Sequence, residues 1–93
     1  MFIQQIPLLF NRSVVSSLMP NSIGVYGIYR QGHWVYVGKG NIRERLLVHL
    51  SDSFILAQTP THFVTELWQD PHMSNREKAL ILALQPHCNK KVG

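Results

Sequence analysis

Ninety-three residues leave room for one compact domain, and a 45% apolar, 15% charged composition excludes a disordered chain. Nine Lys and Arg against five Asp and Glu give a net charge of +4 and a pI near 9.7, an excess that suits a polyanionic partner without requiring one. The single cysteine, Cys88, excludes an internal disulfide framework and a thiolate-rich zinc site, and points to a reducing, cytoplasmic setting.

Met1 to Phe10 is apolar but holds Gln4, Gln5 and Pro7 and has no basic leader, so it reads as neither signal peptide nor membrane span. Residues 11–19 predict a short helix that stops before Pro20. Ile23 to Arg30 and His33 to Gly38 are rich in Ile, Val and Tyr and flank Gln31-Gly32, the pattern of a β-hairpin. The loop length decides where two tyrosines point. A three-residue loop, Arg30-Gln31-Gly32, sets Tyr26 opposite Tyr36 on one face. A two-residue loop sends them to opposite faces, because a one-residue slip inverts every side chain. The sequence leaves both loops open.

Asn41 with Glu44 three residues on resembles a capping box and predicts a helix start. Ile42, Leu46, Leu47 and Leu50 would form its buried stripe, with Arg45 and His49 one turn apart on another face. Residues 61–68 predict a third strand, which Asp70-Pro71 ends. Ser74-Asn75-Arg76-Glu77 reads as a second capping box, opening a helix that runs through Leu84 and closes before Pro86. Ala79 to Leu84 is apolar all round, which predicts a buried helix. The order implies a single α+β domain over residues 1–93: a small three-stranded antiparallel sheet flanked by helices.

Five separated elements then stand in a recognisable order. They are Gly24-Val25-Tyr26, Tyr36-Val37-Gly38-Lys39, Arg45 with His49 one turn later, Glu77, and Pro86-His87-Cys88-Asn89. Together they resemble the GIY-YIG nuclease family, over residues 22 to 90. The literal tripeptide Gly27-Ile28-Tyr29 lies too close to Tyr36 to be the first motif. The hairpin is slightly shorter than the family's, and the stretch from Gly38 to Arg45 is one residue short, which leaves Arg43 as the alternative to Arg45.

The resemblance implies a DNA endonuclease that hydrolyses a phosphodiester bond with one divalent ion, Mg²⁺ or Mn²⁺, held by Glu77. One carboxylate with water in the remaining positions suits Mg²⁺. Arg45 would contact the scissile phosphate with a planar, always charged fork. Tyr26 or Tyr36 would act as general base or position the water, with His49 assisting by hydrogen bond or proton relay. A free phenol titrates near 10, so a base role needs metal or cationic neighbours that lower its pKa. Lys39, Arg43, Asn89 and Lys90 would supply or shape contacts to nucleic acid, and Gly24 and Gly38 would serve the backbone.

Each role has a structural rival. Glu77 is also adequate as the third residue of a capping box, Arg45 as a solvated helix residue, and the tyrosines as strand packing groups. His33, His62, His72 and His87 have no zinc spacing with Cys88, and Trp34 and Trp68 read as core unless Trp34 proves exposed. A catalytically weak DNA-binding module of the same fold, or a protein-interaction domain, remain alternatives. The expected partners are DNA before RNA, with a homodimer or a second protein supplying affinity, and no membrane.

Overall fold

The computed structural model describes Phe2 and residues 6–90, with the backbone alone at Lys90. The two Ile/Val/Tyr-rich runs form strands β2 (Ile23–Arg30) and β3 (His33–Asn41), preceded by β1 (Leu8–Leu9) and α1 (Arg12–Ser16). Helices α2 (Ile42–His49) and α3 (Ser53–Leu56) follow, then β4 (His62–Leu67), α4 (His72–Leu84) and a 3-10 turn at His87–Lys90. The sheet has four antiparallel strands in the order β1-β4-β2-β3, not three. The additional strand is two residues long, Leu8 against Phe63 and Leu9 against His62. A pair of leucines carries no periodicity, so nothing local marks it as a strand.

The hairpin resolves the loop question in an unexpected way. Arg30 pairs with His33, so the loop is the two-residue Gln31-Gly32. The ladder then shifts: Tyr29 pairs with Trp34 but Ile28 with Tyr36, leaving Val35 as an extra residue on β3. This bulge reverses the inversion that a two-residue loop imposes. Tyr26 and Ile28 therefore share a face with Tyr36, although Tyr26 pairs with Gly38 and lies diagonal to Tyr36.

Helices cover both faces of the sheet. On one, Tyr26, Ile28, Val35 and Phe63 pack against Val15 of α1, Ile42 and Leu46 of α2, and Ile55 of α3. On the other, Val25 and Val37 pack against Met73 and Leu80 of α4. Full burial of each such side chain is worth about 1.5–3 kcal/mol, and strands alternating between two covered faces collect it twice.

Local signals explain the helix starts. The Asn11 side chain accepts from Val14 N–H at 2.8 Å to cap α1, and Asn41 accepts from Glu44 N–H at 3.4 Å to cap α2. Asp52 caps α3, accepting from Phe54 N–H at 2.9 Å. Along α2 the fully buried residues are Ile42, Leu46 and His49, and Leu47 and the C-cap Leu50 pack half-buried against the same core, so the histidine joins the expected stripe.

Helix α4 corrects two expectations. It starts at His72, and Asp70 does the capping: Ser74 N–H and hydroxyl donate to its Oδ1 at 3.0 and 2.6 Å. Ser74 to Glu77 is therefore not a capping box, and Glu77 sits in the second turn with no capping role. Nor is the helix buried all round. Met73 and Leu80 are its buried residues, while Leu82 is 73% exposed. Small and aliphatic residues in a row do not define a face; packing against one side of the sheet does. Among the described residues, no helix is long and apolar enough to cross a membrane.

Candidate functional site

The bulge at Val35 and the pairing of Tyr26 with Gly38 bring the first two motifs into contact. The Tyr26 and Tyr36 rings lie 6.2 Å apart, and Gly38 sits beneath both. A Cβ on Gly38 would run into the Tyr26 hydroxyl, 2.6 Å from Tyr26 Cζ and 2.8 Å from Tyr36 Cε2. Glycine is what lets two phenols occupy this space. Gly24 meets a comparable limit against the backbone of Glu66 on β4, where a Cβ would also lie 2.9 Å from Leu67 Cα.

Helix α2 supplies the next two groups. Beginning directly after β3, it turns His49 inward until the Tyr26 hydroxyl and His49 Nε2 are hydrogen-bonded at 2.7 Å. The His49 ring also lies 4.8 Å from that of Tyr36. Both phenols are raised above their usual pKa, by burial first, with Tyr36 and Glu77 adding to the rise at Tyr26 and Glu77 and Asp52 at Tyr36, while the Arg45 guanidinium acts to lower both. Burial, aided by the Arg45 charge, pushes the His49 imidazole down to about 4, so at neutral pH it is uncharged and its surroundings oppose protonation.

Tyr36, Arg45 and His49 line a cleft of about 240 Å³ together with Val48, Asp52, Phe54, Ile55 and Cys88. Tyr26 is fully buried and does not line it, meeting its lining residues through His49 and through the Arg45 guanidinium. Arg43 does not line this cleft; its Nε is buried without a hydrogen-bond partner among the described residues. The helical spacing thus separates the two candidate arginines.

Glu77 approaches from α4. Its half-buried carboxylate is 4.0 Å from Lys39 Nζ, and Lys39 also donates to Ser74 Oγ at 2.7 Å. Burial raises the Glu77 pKa, and the Lys39 charge works against that rise. Glu77 in turn raises both phenols, which places it within electrostatic reach of the tyrosines. Among the described residues there is no group of three His, Cys, Asp or Glu able to hold a metal ion. The donor set is one partly desolvated carboxylate near two neutral phenols. That set fits a hard cation that keeps most of its water and takes a single carboxylate, and does not fit zinc.

Asn89 is occupied by the backbone. Its Oδ1 accepts from Val37 N–H at 2.7 Å and its Nδ2 donates to Val37 carbonyl at 2.9 Å, so the side chain extends the ladder at the edge strand β3. This fixes the strand that carries Tyr36, Gly38 and Lys39. The expected basic tail, the Lys90 side chain with Lys91, lies outside the described residues.

Sequence reasoning missed Glu66. It is 4% exposed, pairs with Arg76 through Nε at 2.8 Å and Nη2 at 3.0 Å, and accepts from Trp68 Nε1 at 2.8 Å. A carboxylate at an inward position of a strand was the available signal, because such a charge needs a partner. Arg76 precedes Glu77, so this bidentate pair fixes the rotation of α4 about its axis. A concavity of about 780 Å³ opens elsewhere, between residues 19–23 and Leu67, Trp68 and Gln69. No titratable side chain lines it, so it carries no acid–base chemistry.

The candidate groups thus come from β2, β3, α2 and α4. Comparison with protein-family models, curated proteins and solved structures finds no match to this chain.

Proposed function

We propose that this chain is a GIY-YIG-type nuclease domain that hydrolyses a phosphodiester bond of DNA with one Mg²⁺ or Mn²⁺ ion. The observation that carries the reading is the convergence of Tyr26, Tyr36, Arg45 and His49, residues drawn from three separate motifs, around Gly38. Packing alone gives no reason for an exposed arginine, a half-exposed phenol and a buried neutral imidazole to share one cleft.

In this reading Arg45 binds the scissile phosphate and stabilises the charge that develops on it. Tyr36, the phenol on the cleft, orients the attacking water. Tyr26 cannot touch substrate without rearrangement; it holds His49 through Nε2, while the attacking water gives its proton to solvent as the new oxygen–phosphorus bond forms and the phosphorus bond to the leaving sugar oxygen breaks, that oxygen taking up a proton in turn. Glu77 would hold the divalent ion, which when bound supplies Lewis-acid polarisation of the phosphate. Lys39 adds positive charge beside it and keeps Glu77 ionised. The net charge of +4 favours the approach of a polyanion.

A second reading rests on the same ion pair. If the Lys39 ammonium remains the permanent partner of Glu77, the domain binds nucleic acid without useful turnover. Incubation with supercoiled plasmid and Mg²⁺ or Mn²⁺, beside Glu77→Ala and an EDTA control, separates the two. Nicking by the unaltered chain alone supports the nuclease. Salt-sensitive binding with no nicking in either metal supports the binding module, and nicking undiminished by Glu77→Ala removes Glu77 from the mechanism.

A further inference from the structure

The cleft beside Arg45 has a composition that a phosphate site does not need. Its 240 Å³ lies below the roughly 300–1,000 Å³ of pockets for drug-sized ligands, and suits one flat ring system. Its lining includes the 41%-exposed Phe54 of α3 and the almost fully buried Ile55. Asp52 also lines it, and its carboxylate would repel a second phosphate. His49 adds an unspent polar atom: its residue is 4% exposed, Nε2 is bonded to Tyr26, and Nδ1 has no hydrogen-bond partner among the described residues. A buried polar nitrogen left unpaired costs about 1–3 kcal/mol unless a ligand completes it.

A cation, a carboxylate, an unsatisfied imidazole nitrogen and an exposed aromatic ring together match the edge and face of a nucleobase. The edge of a base mixes donors and acceptors, which Asp52 and His49 Nδ1 complement. Its face needs an aromatic or aliphatic surface, which the exposed part of Phe54 offers. We propose that the cleft takes up one unpaired nucleobase flanking the phosphate held by Arg45, so that the substrate class is DNA containing an unpaired nucleotide and not intact duplex. This rests on the DNA-cleaving reading above and adds the substrate to it. A base inside a duplex cannot enter without unstacking and unpairing, a cost that is least where the nucleotide is already unpaired.

The test measures binding in EDTA by fluorescence anisotropy, with three labelled duplexes of one length. The first is fully paired, the second carries a single-nucleotide bulge, and the third has the same bulge without its base. The expected result is that the bulge binds tighter than the other two by about tenfold or more, the range for stacking one base on aromatic side chains. In Phe54→Ala, shown folded by circular dichroism, the gap between bulge and abasic bulge should collapse. Equal affinity for bulge and abasic bulge overturns the base-binding cleft while leaving the nuclease reading standing. Equal gaps in the unaltered chain and Phe54→Ala also overturn it. No salt-sensitive binding to any of the three overturns both.

Discussion

The Tyr26 hydroxyl and His49 Nε2 are 2.7 Å apart, buried, and 23 residues apart in the chain. That bond ties the central strand β2 to the last turn of α2 and fixes the orientation of the imidazole. It also divides the labour of the two tyrosines, since Tyr26 is fully buried while Tyr36 lies on the cleft.

The two Tyr→Phe variants should therefore fail differently. Tyr26→Phe strands His49 Nε2 in the core, in addition to the already unpartnered Nδ1, and should cost about 1–3 kcal/mol in urea denaturation. Tyr36→Phe removes a hydroxyl at a half-exposed ring and should cost less than about 0.5 kcal/mol. Nicking should fall in both. A stability loss confined to Tyr36→Phe would contradict this assignment.

Burial makes His49 a source of pH-dependent stability. Its folded pKa of about 4 lies below the unfolded value of 6.5. Between those values the unfolded chain holds a proton that the folded chain refuses, so stability rises with pH across the window and falls as the pH is lowered through it. The contribution is fully present above 6.5 and gone below about 4. Urea midpoints from neutrality down to about pH 4.5 should show a decline that is shallower in His49→Gln, by up to one proton per molecule. Parallel declines would show that His49 is not held neutral by the fold.

Much of this arrangement was legible in the residues, and the gaps have definite causes. The hairpin, the α2 start at Asn41 and the third strand over residues 61–68 follow from β-branched and aromatic runs and a side-chain cap. The loop question could not be settled locally, because the bulge at Val35 is set by packing against Phe63, Ile28 and α2 across the sheet. The start of α4 was misplaced because Ser74 and Glu77 have capping spacing, yet Asp70 reaches the Ser74 amide first. The Glu66–Arg76 pair spans ten residues and two elements, and only the fold brings it together.

Gly38→Ala tests the space between the tyrosines. The added methyl would displace the Tyr26 hydroxyl from His49 or push Tyr36 off the cleft, since both rings would lie within 2.8 Å of it. Overpacking of this kind costs about 1–3 kcal/mol. The expected outcome is lower stability together with loss of nicking, and a Tyr26 environment altered in near-ultraviolet circular dichroism. Full activity with unchanged spectra would mean that the rings move aside freely and that their contact over Gly38 is not needed.

Lys39 and Glu77 give a prediction about the metal that does not depend on turnover. At 4.0 Å the ammonium partly neutralises the carboxylate on which a divalent ion would bind, and it also acts to lower the Glu77 pKa. Lys39→Ala removes a competitor but leaves a carboxylate that protonates more readily. Where Glu77 is ionised the first effect governs. Mn²⁺ should then bind more tightly to Lys39→Ala, by no more than about fivefold because the pair is partly solvent-exposed. As the pH is lowered the second effect grows and the advantage should shrink. Isothermal titration calorimetry across a descending pH series reads this directly, with Glu77→Ala as the variant that should lose the Mn²⁺ signal. Weaker Mn²⁺ binding by Lys39→Ala where Glu77 is ionised would show instead that Lys39 organises the carboxylate through its bond to Ser74, and that competition at Glu77 is not what limits the metal.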